Sequence, residues 1–328
     1  MAQHEASSPQ LHPGDQHEIP SVEAHGSFDS LKDRIKTHYE IASDYYYSLW
    51  GQHIHHGLFK SASETKEQAQ VNLINYLLEI SALPAGAKVL DVGCGVGGTS
   101  RFLARERGCT VTGITISGRQ VEIARQVTET ETGGSPPSPG SFAKYADEKG
   151  KEGGKVRFLE LDAEKMLDHF RPAAGEAETF DCVWISEALS HLPDKKLFFS
   201  SSFSLVKSGG LLVIADWFKA PVLSPEQEST DIKPIEDGML LPRLYTADEY
   251  VALATQAGFR ARKEPVDISK DVAKTWDISW SLVSSPSLWA FAISQGRDGL
   301  AFLQAFRAMR RGYANGTFRY AVMCFEKP

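Results

Sequence analysis

The sequence predicts a doubly wound α/β fold built around a mostly parallel sheet. Short apolar runs alternate along the chain with segments of helical length, and the run at 88–92 ends in the glycine cluster at 93–98. Strands separated by helices are typical of parallel sheets with right-handed crossovers. Glycines at a strand-to-helix turn let a ligand reach backbone N–H groups at the carboxyl edge of the sheet. The pattern therefore predicts a nucleotide-like ligand at this turn.

The other elements follow from apolar spacing and from capping residues. We expect strands over 88–92, 109–115, 155–160, 180–186, 211–216, 259–268 and 318–326. We expect helices over 28–50, 65–80, 119–129, 195–205 and 246–258, and another that starts near Thr99. The Ser-Gly-Gly sequence at 208–210 predicts a turn before the fifth strand. Residues 131–154 are rich in Gly, Ser, Pro, Lys and Glu, which is typical of a solvated surface insertion.

Length and composition indicate one domain with a substantial core. The 328 residues are 42% hydrophobic, and the net charge of −7 offers no basic field for nucleic acid. The cysteines at 94, 109, 182 and 324 lack metal-ligand spacing and indicate a reducing, cytoplasmic location. No run approaches the ~18 apolar residues of a membrane span. We expect a disordered, polar tail over 1–26 and one domain over 27–328.

The glycine loop leaves two classes of ligand to compare. Gly93, Gly95 and Gly98 satisfy the G-x-G-x-x-G spacing of dinucleotide-binding proteins. That fingerprint needs an acidic residue about 20 positions further on to hold the ribose, and the strand at 109–115 ends without one. Asp91 precedes the turn and places a carboxylate where it can meet a cationic amine. These two details weigh against NAD, but an NAD(P)-dependent oxidoreductase remains the alternative.

The pattern Asp91-x-Gly93-x-Gly95-x-Gly97 resembles the first motif of the class I S-adenosylmethionine-dependent methyltransferases. Within that class, the tocopherol, sterol and ubiquinone methyltransferases are similar in further segments, at 38–40, 49–57, 186–195 and 312–316. The resemblance covers roughly residues 35–328 apart from 131–154. It implies a seven-stranded sheet whose last two strands form an antiparallel C-terminal hairpin. It also implies helical lid segments, which we place at 27–82, 217–245 and 270–313.

The resemblance further implies which residues hold S-adenosylmethionine. The glycine loop is expected to wrap the methionine half of the cofactor, Thr115 and Gln120 to hold the ribose, and Asp162 to meet the adenine amine. Thr115 departs from the acid that the family often has there, and Asp162 is alternatively the N-cap of the next helix. The complete expected set is Asp91, Gly93, Cys94, Gly95, Gly97, Thr115, Ile116, Gln120, Asp162, Ala163, Ser186, Tyr39 and His55.

Methyl transfer from a sulfonium depends mainly on alignment, and it needs a base only where the acceptor must lose a proton. His191 is the candidate base or orienting group, because it follows the fourth strand and imidazole titrates in the useful range. Glu187 is expected either to bind a cationic acceptor or to orient His191. Histidines at 53, 55 and 56 suggest a metal site, but no Cys or acidic partner stands at ligand spacing. We therefore expect a lid over the cofactor and no metal.

The acceptor is expected to be a small molecule held by segments outside the core sheet. Residues 217–245 and 270–313 supply many aromatic and apolar side chains, which favours a mid-sized apolar or aromatic metabolite of secondary metabolism. Whether carbon, nitrogen or oxygen is methylated stays open. A repurposed S-adenosylmethionine-binding protein that does not methylate is a further alternative.

Overall fold

The computed structural model describes residues 50–134, 138, 140–146, 152–171, 178–283 and 296–328, and individually residues 36, 40, 43, 44, 47 and 48. The expected tail at 1–26, Tyr39 and most of the expected helix at 28–50 lie outside the described residues.

A mixed sheet forms the centre of the described chain. Its strands are β1 (Lys88–Val92), β2 (Thr110–Thr115), β3 (Ala143–Ala146), β4 (Glu152–Glu160), β5 (Phe180–Ser186), β6 (Val206–Lys219), β7 (Arg260–Ala261), β8 (Val266–Asp267) and β9 (Phe318–Glu326). The order is β3-β4-β2-β1-β5-β6-β9-β7, and β8 also pairs with β9. Strands β4, β2, β1, β5 and β6 run parallel, while β3, β7, β8 and β9 pair antiparallel. The mostly parallel α/β fold class with an antiparallel C-terminal hairpin is confirmed.

The expected number of seven strands differs from the nine in the described residues for two reasons. The expected strand at 259–268 is divided into β7 and β8, with Pro265, which has no N–H to donate, just before β8. In addition, the segment expected as a solvated insertion contributes the edge strand β3, in which Ala143 and Tyr145 are buried and the intervening Lys144 is exposed. Residues 208–210, expected as a turn, lie within β6, where a register shift against β5 absorbs them.

The helices cover both faces of the sheet. They are α1 (Lys66–Ser81), α2 (Gly98–Arg107), α3 (Gly118–Thr132), α4 (Met166–Phe170), α5 (Lys195–Leu205), α6 (Pro225–Gln227), α7 (Lys233–Gly238), α8 (Ala247–Ala257), α9 (Ser269–Val272), α10 (Lys274–Val283) and α11 (Gly296–Asn315). The helices expected at 65–80, 119–129, 195–205 and 246–258 are present with small shifts at their ends. Capping boxes at Thr65 and Thr246 fix the starts of α1 and α8.

Two hydrophobic clusters flank the sheet and explain why it is doubly wound. Val89 of β1 faces the cluster that includes Leu77 of α1, whereas its neighbour Leu90 faces the cluster that includes Phe198 of α5. Because helices bury both faces, the carboxyl ends of the parallel strands are the open edge where a ligand can bind. Among the described residues, no helix is both long and apolar enough to cross a bilayer.

Candidate active site

Three adjoining cavities open at the carboxyl ends of the parallel strands. The wide cavity has an empty volume of about 870 Å³, the loop cavity about 350 Å³ and the aromatic cavity about 640 Å³. Ile54 lines all three of them. Glu187 and His191 line both the wide and the aromatic cavity. The arrangement is therefore one continuous cleft with a junction at Ile54.

The loop cavity contains a buried carboxylate next to the glycine turn. Asp91 is 2% exposed, and the Ser100 hydroxyl donates a hydrogen bond of 2.5 Å to its Oδ2 atom. Burial raises the pKa of Asp91 to about 6, although the Ser100 hydrogen bond works in the opposite direction. A buried carboxylate without a cationic partner is costly, and a bound cation would relieve that cost. The surroundings of Asp91 therefore suit a positively charged group.

Two glycines of the loop have different surroundings. At Gly95, φ is +53° and an added Cβ would meet no heavy atom within 4 Å, so its free side faces the loop cavity that it lines. At Gly98, an added Cβ would lie 1.9 Å from the carbonyl oxygen of Gln52. The segment that contains Ile54 is therefore packed directly on the start of α2. A side chain at Gly95 would occupy ligand space, whereas one at Gly98 would displace the covering segment.

The wide cavity carries the residues expected for the ribose and the base. The Thr115 hydroxyl donates a hydrogen bond of 2.5 Å to Gln120 Oε1, and both side chains are almost fully buried. That bond leaves the Gln120 amide N–H groups available for a sugar hydroxyl. Asp162 Oδ1 accepts a hydrogen bond of 3.0 Å from the backbone N–H of Glu164. Asp162 is thus the N-cap of a 3₁₀ turn, and it also lines the wide cavity, where its contact with an adenine amine stays a prediction.

The structure brings together most of the expected cofactor-binding residues. Those in the wide cavity are Gly93, Gly95, Thr115, Ile116, Gln120, Asp162, Ala163 and Ser186. Those in the loop cavity are His55, Asp91, Gly93, Cys94, Gly95 and Ser186. Gly97 lines none of the three cavities; it is the N-cap of α2, and a Cβ there would lie 2.5 Å from the Phe158 ring. Gly97 is required for packing, and Tyr39 lies outside the described residues.

The aromatic cavity is built from segments far apart in the sequence. Its apolar lining comprises Trp50, Ile54, Trp217, Met239, Trp276 and Phe306. Its polar lining comprises His55, His56, Glu187, His191, Thr275 and Ser279. Among the described residues that line it there is no lysine or arginine, so nothing there neutralises a phosphate or a carboxylate. The described lining therefore does not favour an anionic ligand.

Glu187 stands where the wide and aromatic cavities meet, and its partner is His56. The Oε2 atom of Glu187 lies 2.9 Å from His56 Nδ1. The Oε1 atom accepts a hydrogen bond of 2.6 Å from the backbone N–H of His56 and one of 2.8 Å from the Tyr320 hydroxyl. We expected Glu187 to orient His191 or to bind a cationic acceptor. In the structure the carboxylate contacts His56 and Tyr320, and its expected roles towards His191 or a cationic acceptor stay predictions.

A buried ionic cluster holds the turn that carries His191. Asp216 Oδ2 accepts a hydrogen bond of 3.0 Å from the backbone N–H of Ser190, and Lys195 Nζ donates to the carbonyl oxygens of Ser190 and Leu192 at 3.3 and 3.0 Å. Burial raises the pKa of Asp216 to about 6 and lowers the pKa of Lys195 to about 8. The two side chains form hydrogen bonds with the backbone on either side of His191 and so fix its position at the border of the wide and aromatic cavities.

The histidine-rich segment is a cover over the loop cavity. Gln70 of α1 donates hydrogen bonds to the carbonyl oxygens of His53 and His55. Burial lowers the pKa of His53 to about 3, so that ring is neutral. Within the described residues no group of three or more His, Cys, Asp or Glu side chains is arranged to hold a metal ion. The segment therefore covers the loop cavity with backbone that Gln70 binds and with the neutral ring of His53.

Comparisons with known proteins agree with this geometry. The family model described as a methyltransferase domain matches residues 62–264, which is more than half of the chain. A probable tocopherol O-methyltransferase of Oryza sativa subsp. japonica is 28% identical over 91% of this chain and 79% of its own length. The 2-methyl-6-phytyl-1,4-hydroquinone methyltransferase of Synechocystis sp. is 30% identical over 75% of this chain and 67% of its own length. A cyclopropane synthase of Mycobacterium tuberculosis shares the fold, with a TM-score of 0.71, 17% identity, and coverage of 94% of this chain and 100% of the other.

The chain belongs to the methyltransferase family. It is an S-adenosylmethionine-dependent methyltransferase that acts on small molecules, and the oxidoreductase and non-methylating alternatives are not favoured. The residues fit this cofactor: Asp91 is a buried anion for its cationic methionine end, and Gly95 leaves open space beside the backbone. Gln120 and Asp162 border the wide cavity, where a nucleoside needs polar partners.

Sequence reasoning missed the residues that act through tertiary contacts. His56 was noted only as part of the histidine-rich segment, and Tyr320, Lys195 and Asp216 were not singled out. One signal was present: Asp216 and Lys195 are charged residues at the end of an apolar strand and at the start of a helix. Buried charges of this kind indicate a site or a structural network.

Proposed function

We propose that the acceptor is a mid-sized, uncharged, apolar or aromatic metabolite of secondary metabolism, and that it binds in the aromatic cavity. The observation that carries this proposal is the lining of that cavity, with three tryptophans and no basic side chain among its described residues. Aromatic and apolar walls gain most from burying a ring system or a prenyl chain. The names of the two relatives refer to tocopherol and to a phytyl hydroquinone, and they agree with an acceptor of this class.

His191 is proposed to orient the acceptor at the junction of the cavities. It borders the wide and the aromatic cavity, and its ring centre lies 6.2 Å from that of Trp217. An imidazole at this border can contact an acceptor in the aromatic cavity from the side of the wide cavity, where the nucleoside of the cofactor is expected. The ionic cluster of Asp216 and Lys195 keeps its backbone in place, which is what alignment of nucleophile, methyl carbon and sulfur requires.

The experiment is a methylation screen with an isotopically labelled methyl donor and mass spectrometry of the products. The panel contains a tocopherol, 2-methyl-6-phytyl-1,4-hydroquinone, a sterol, glycine and a prenyl diphosphate. We expect label in one or more of the first three compounds and none in glycine or the diphosphate. Label confined to the charged compounds would overturn the proposal. The Gly95→Val variant is the blank, because its cofactor space is filled.

We further propose a cytoplasmic location. All four cysteines are free thiols, which suits a reducing compartment. The relative from rice is described as chloroplastic, and the chloroplast interior is also reducing, so the two locations need a direct comparison. Fractionation of the source cells tests this, with recovery in an organelle fraction as the contradicting result.

A further inference from the structure

Glu187 is a buried carboxylate held in an unfavourable backbone conformation. Its φ is +55°, in the left-handed region that residues other than glycine rarely adopt. Its side chain is 9% exposed, and its backbone N–H donates a hydrogen bond of 2.8 Å to the carbonyl oxygen of Ala215 in β6. Such conformations persist only where surrounding contacts enforce them, and they are concentrated at functional sites. The contacts that enforce this one come from His56 and Tyr320.

The same contacts keep the carboxylate charged. Burial works to raise the pKa of Glu187, but the nearby His56 ring and its hydrogen bonds hold that pKa below its ordinary value. Burial raises the pKa of Tyr320 well above its ordinary value, so its hydroxyl remains a donor to Glu187. A charged carboxylate only accepts hydrogen bonds, so it faces a nitrogen of the imidazole that carries a proton.

One ring nitrogen of His56 points towards Glu187, and the other has no partner among the residues that the structure describes. The contact of 2.9 Å at Nδ1 favours the neutral tautomer that carries its proton there, so Nε2 has a free lone pair. His56 Nε2 is buried and makes no hydrogen bond to the described residues. The side chain is 4% exposed, lines the aromatic cavity and packs edge-on against Trp276 at 4.7 Å between ring centres. A buried ring nitrogen without a partner is rare and is explained if a ligand supplies the partner.

We propose that His56, oriented by Glu187, is the general base that removes the proton of an acceptor hydroxyl, so that the acceptors of this enzyme are uncharged hydroxyl compounds such as phenols. This inference rests on the proposed function, because it assumes an acceptor in the aromatic cavity. The cofactor supplies, when bound, an electrophilic methyl group that leaves a neutral thioether behind.

The proton and the charge are accounted for by the residues of this chain. The acceptor O–H bond breaks, the proton forms a bond to His56 Nε2, and the electron pair left on oxygen forms the new bond to the methyl carbon. The positive charge that entered on the sulfonium ends on the His56 imidazolium, directly beside the Glu187 carboxylate. The ionisable groups around His56 are Glu187, Tyr320, Tyr313, His55 and, next to Glu187, Asp216.

The first test is independent of any acceptor. Histidine-selective ¹⁵N NMR of the whole protein at neutral pH reports which ring nitrogen carries the proton. The His56 signals are assigned by their loss in His56→Asn. We expect a neutral ring protonated at Nδ1, and in Glu187→Gln a shift towards the other tautomer. A ring protonated at Nε2, or signals indifferent to Glu187→Gln, would overturn the proposal.

The second test compares turnover with a hydroxyl acceptor found in the screen. In His56→Asn the side-chain amide can still donate a hydrogen bond to Glu187 from a position close to that of Nδ1. It has no atom that could accept a proton in place of Nε2. We expect kcat to fall about 100- to 10,000-fold in His56→Asn, with the affinity for S-adenosylhomocysteine unchanged. His169→Gln, at an exposed histidine on α4, is the matched control and keeps full activity.

A loss of kcat smaller than about tenfold in His56→Asn would contradict general-base catalysis by this ring. If no compound of the panel is methylated by the wild type, the proposed function fails, and the NMR result still decides the orientation of His56. If an amine or a carbon is the methylated atom and His56→Asn turns over normally, the inference fails while the proposed acceptor class stands.

Discussion

The loop cavity and the aromatic cavity meet at Ile54, yet they are built in different ways. The loop cavity is formed mainly by one continuous stretch at 91–99, covered by residues 52–55. The aromatic cavity takes its lining from residues 50–56, the turn after β5, β6 and the segments around Met239, Trp276 and Phe306, which are separated by many residues. The first is a local consequence of a strand that turns into a helix. The second exists only once the whole chain has folded, so the two are expected to respond differently to substitution.

The largest difference is expected for Gly95→Val. A branched side chain at φ +53° would enter the loop cavity, so binding of S-adenosylhomocysteine should be lost. Gly133→Val is the matched control, because Gly133 also has positive φ and open space but caps α3 on the surface. Calorimetry should find no binding in the first variant and wild-type binding in the second. Full binding by folded Gly95→Val would place the ligand elsewhere.

His191→Ala tests the junction of the two cavities. Loss of the orienting ring should lower turnover about 100-fold, as expected for a misplaced acceptor, with the cofactor affinity unchanged. Steady-state kinetics and calorimetry on the same preparation separate the two effects. Equal turnover of variant and wild type at saturating substrates would remove His191 from the site.

Asp91→Asn should weaken S-adenosylhomocysteine binding by about 10- to 150-fold, the value of a lost charge-assisted hydrogen bond of roughly 1.5–3 kcal/mol. The same variant should be more stable than the wild type without ligand. The folded state holds a proton on Asp91 between pH 3.8 and about 6, where the unfolded chain has released it. This group therefore lowers stability as pH rises through that window, and the cost persists above pH 6.

Thermal unfolding of the ligand-free proteins at pH 4 and pH 7 measures that cost. Asp91→Asn should gain more over the wild type at pH 7 than at pH 4. A gain that does not depend on pH would mean that the Asp91 carboxylate is not a buried charge in the folded protein.

The smallest effect on the two cavities is expected from a change at the edge of the sheet that carries β3. Replacing residues 147–151, which join β3 to β4 in the sequence, by Asn-Gly should leave cofactor affinity and turnover unchanged, because no residue of β3 or β4 lines any of the three cavities. Removing all of 131–154 should instead lower thermal stability, since that deletion takes β3 and the start of β4. A loss of cofactor binding on replacing 147–151 alone would place this loop in the site.

The sequence was sufficient for elements whose signals are local. The glycines at 93–98, the capping residues Thr65 and Thr246 and the apolar runs of the parallel strands each depend on neighbours in the chain. Strand β3 was missed because its alternation is short and its surroundings are rich in Gly, Pro and Lys. The partner of Glu187 could not be predicted from the sequence, because His56 lies 131 residues away and the two meet only through tertiary contacts.

The affinity for S-adenosylhomocysteine, measured by calorimetry in the wild type, Asp91→Asn and His56→Asn, tests most directly whether the two regions have separate tasks. We expect a loss of about 10- to 150-fold in Asp91→Asn and the wild-type value in His56→Asn. Equal losses in both variants, or an unchanged value in Asp91→Asn, would contradict the division into a cofactor region at the glycine loop and an acceptor region around Glu187 and His56.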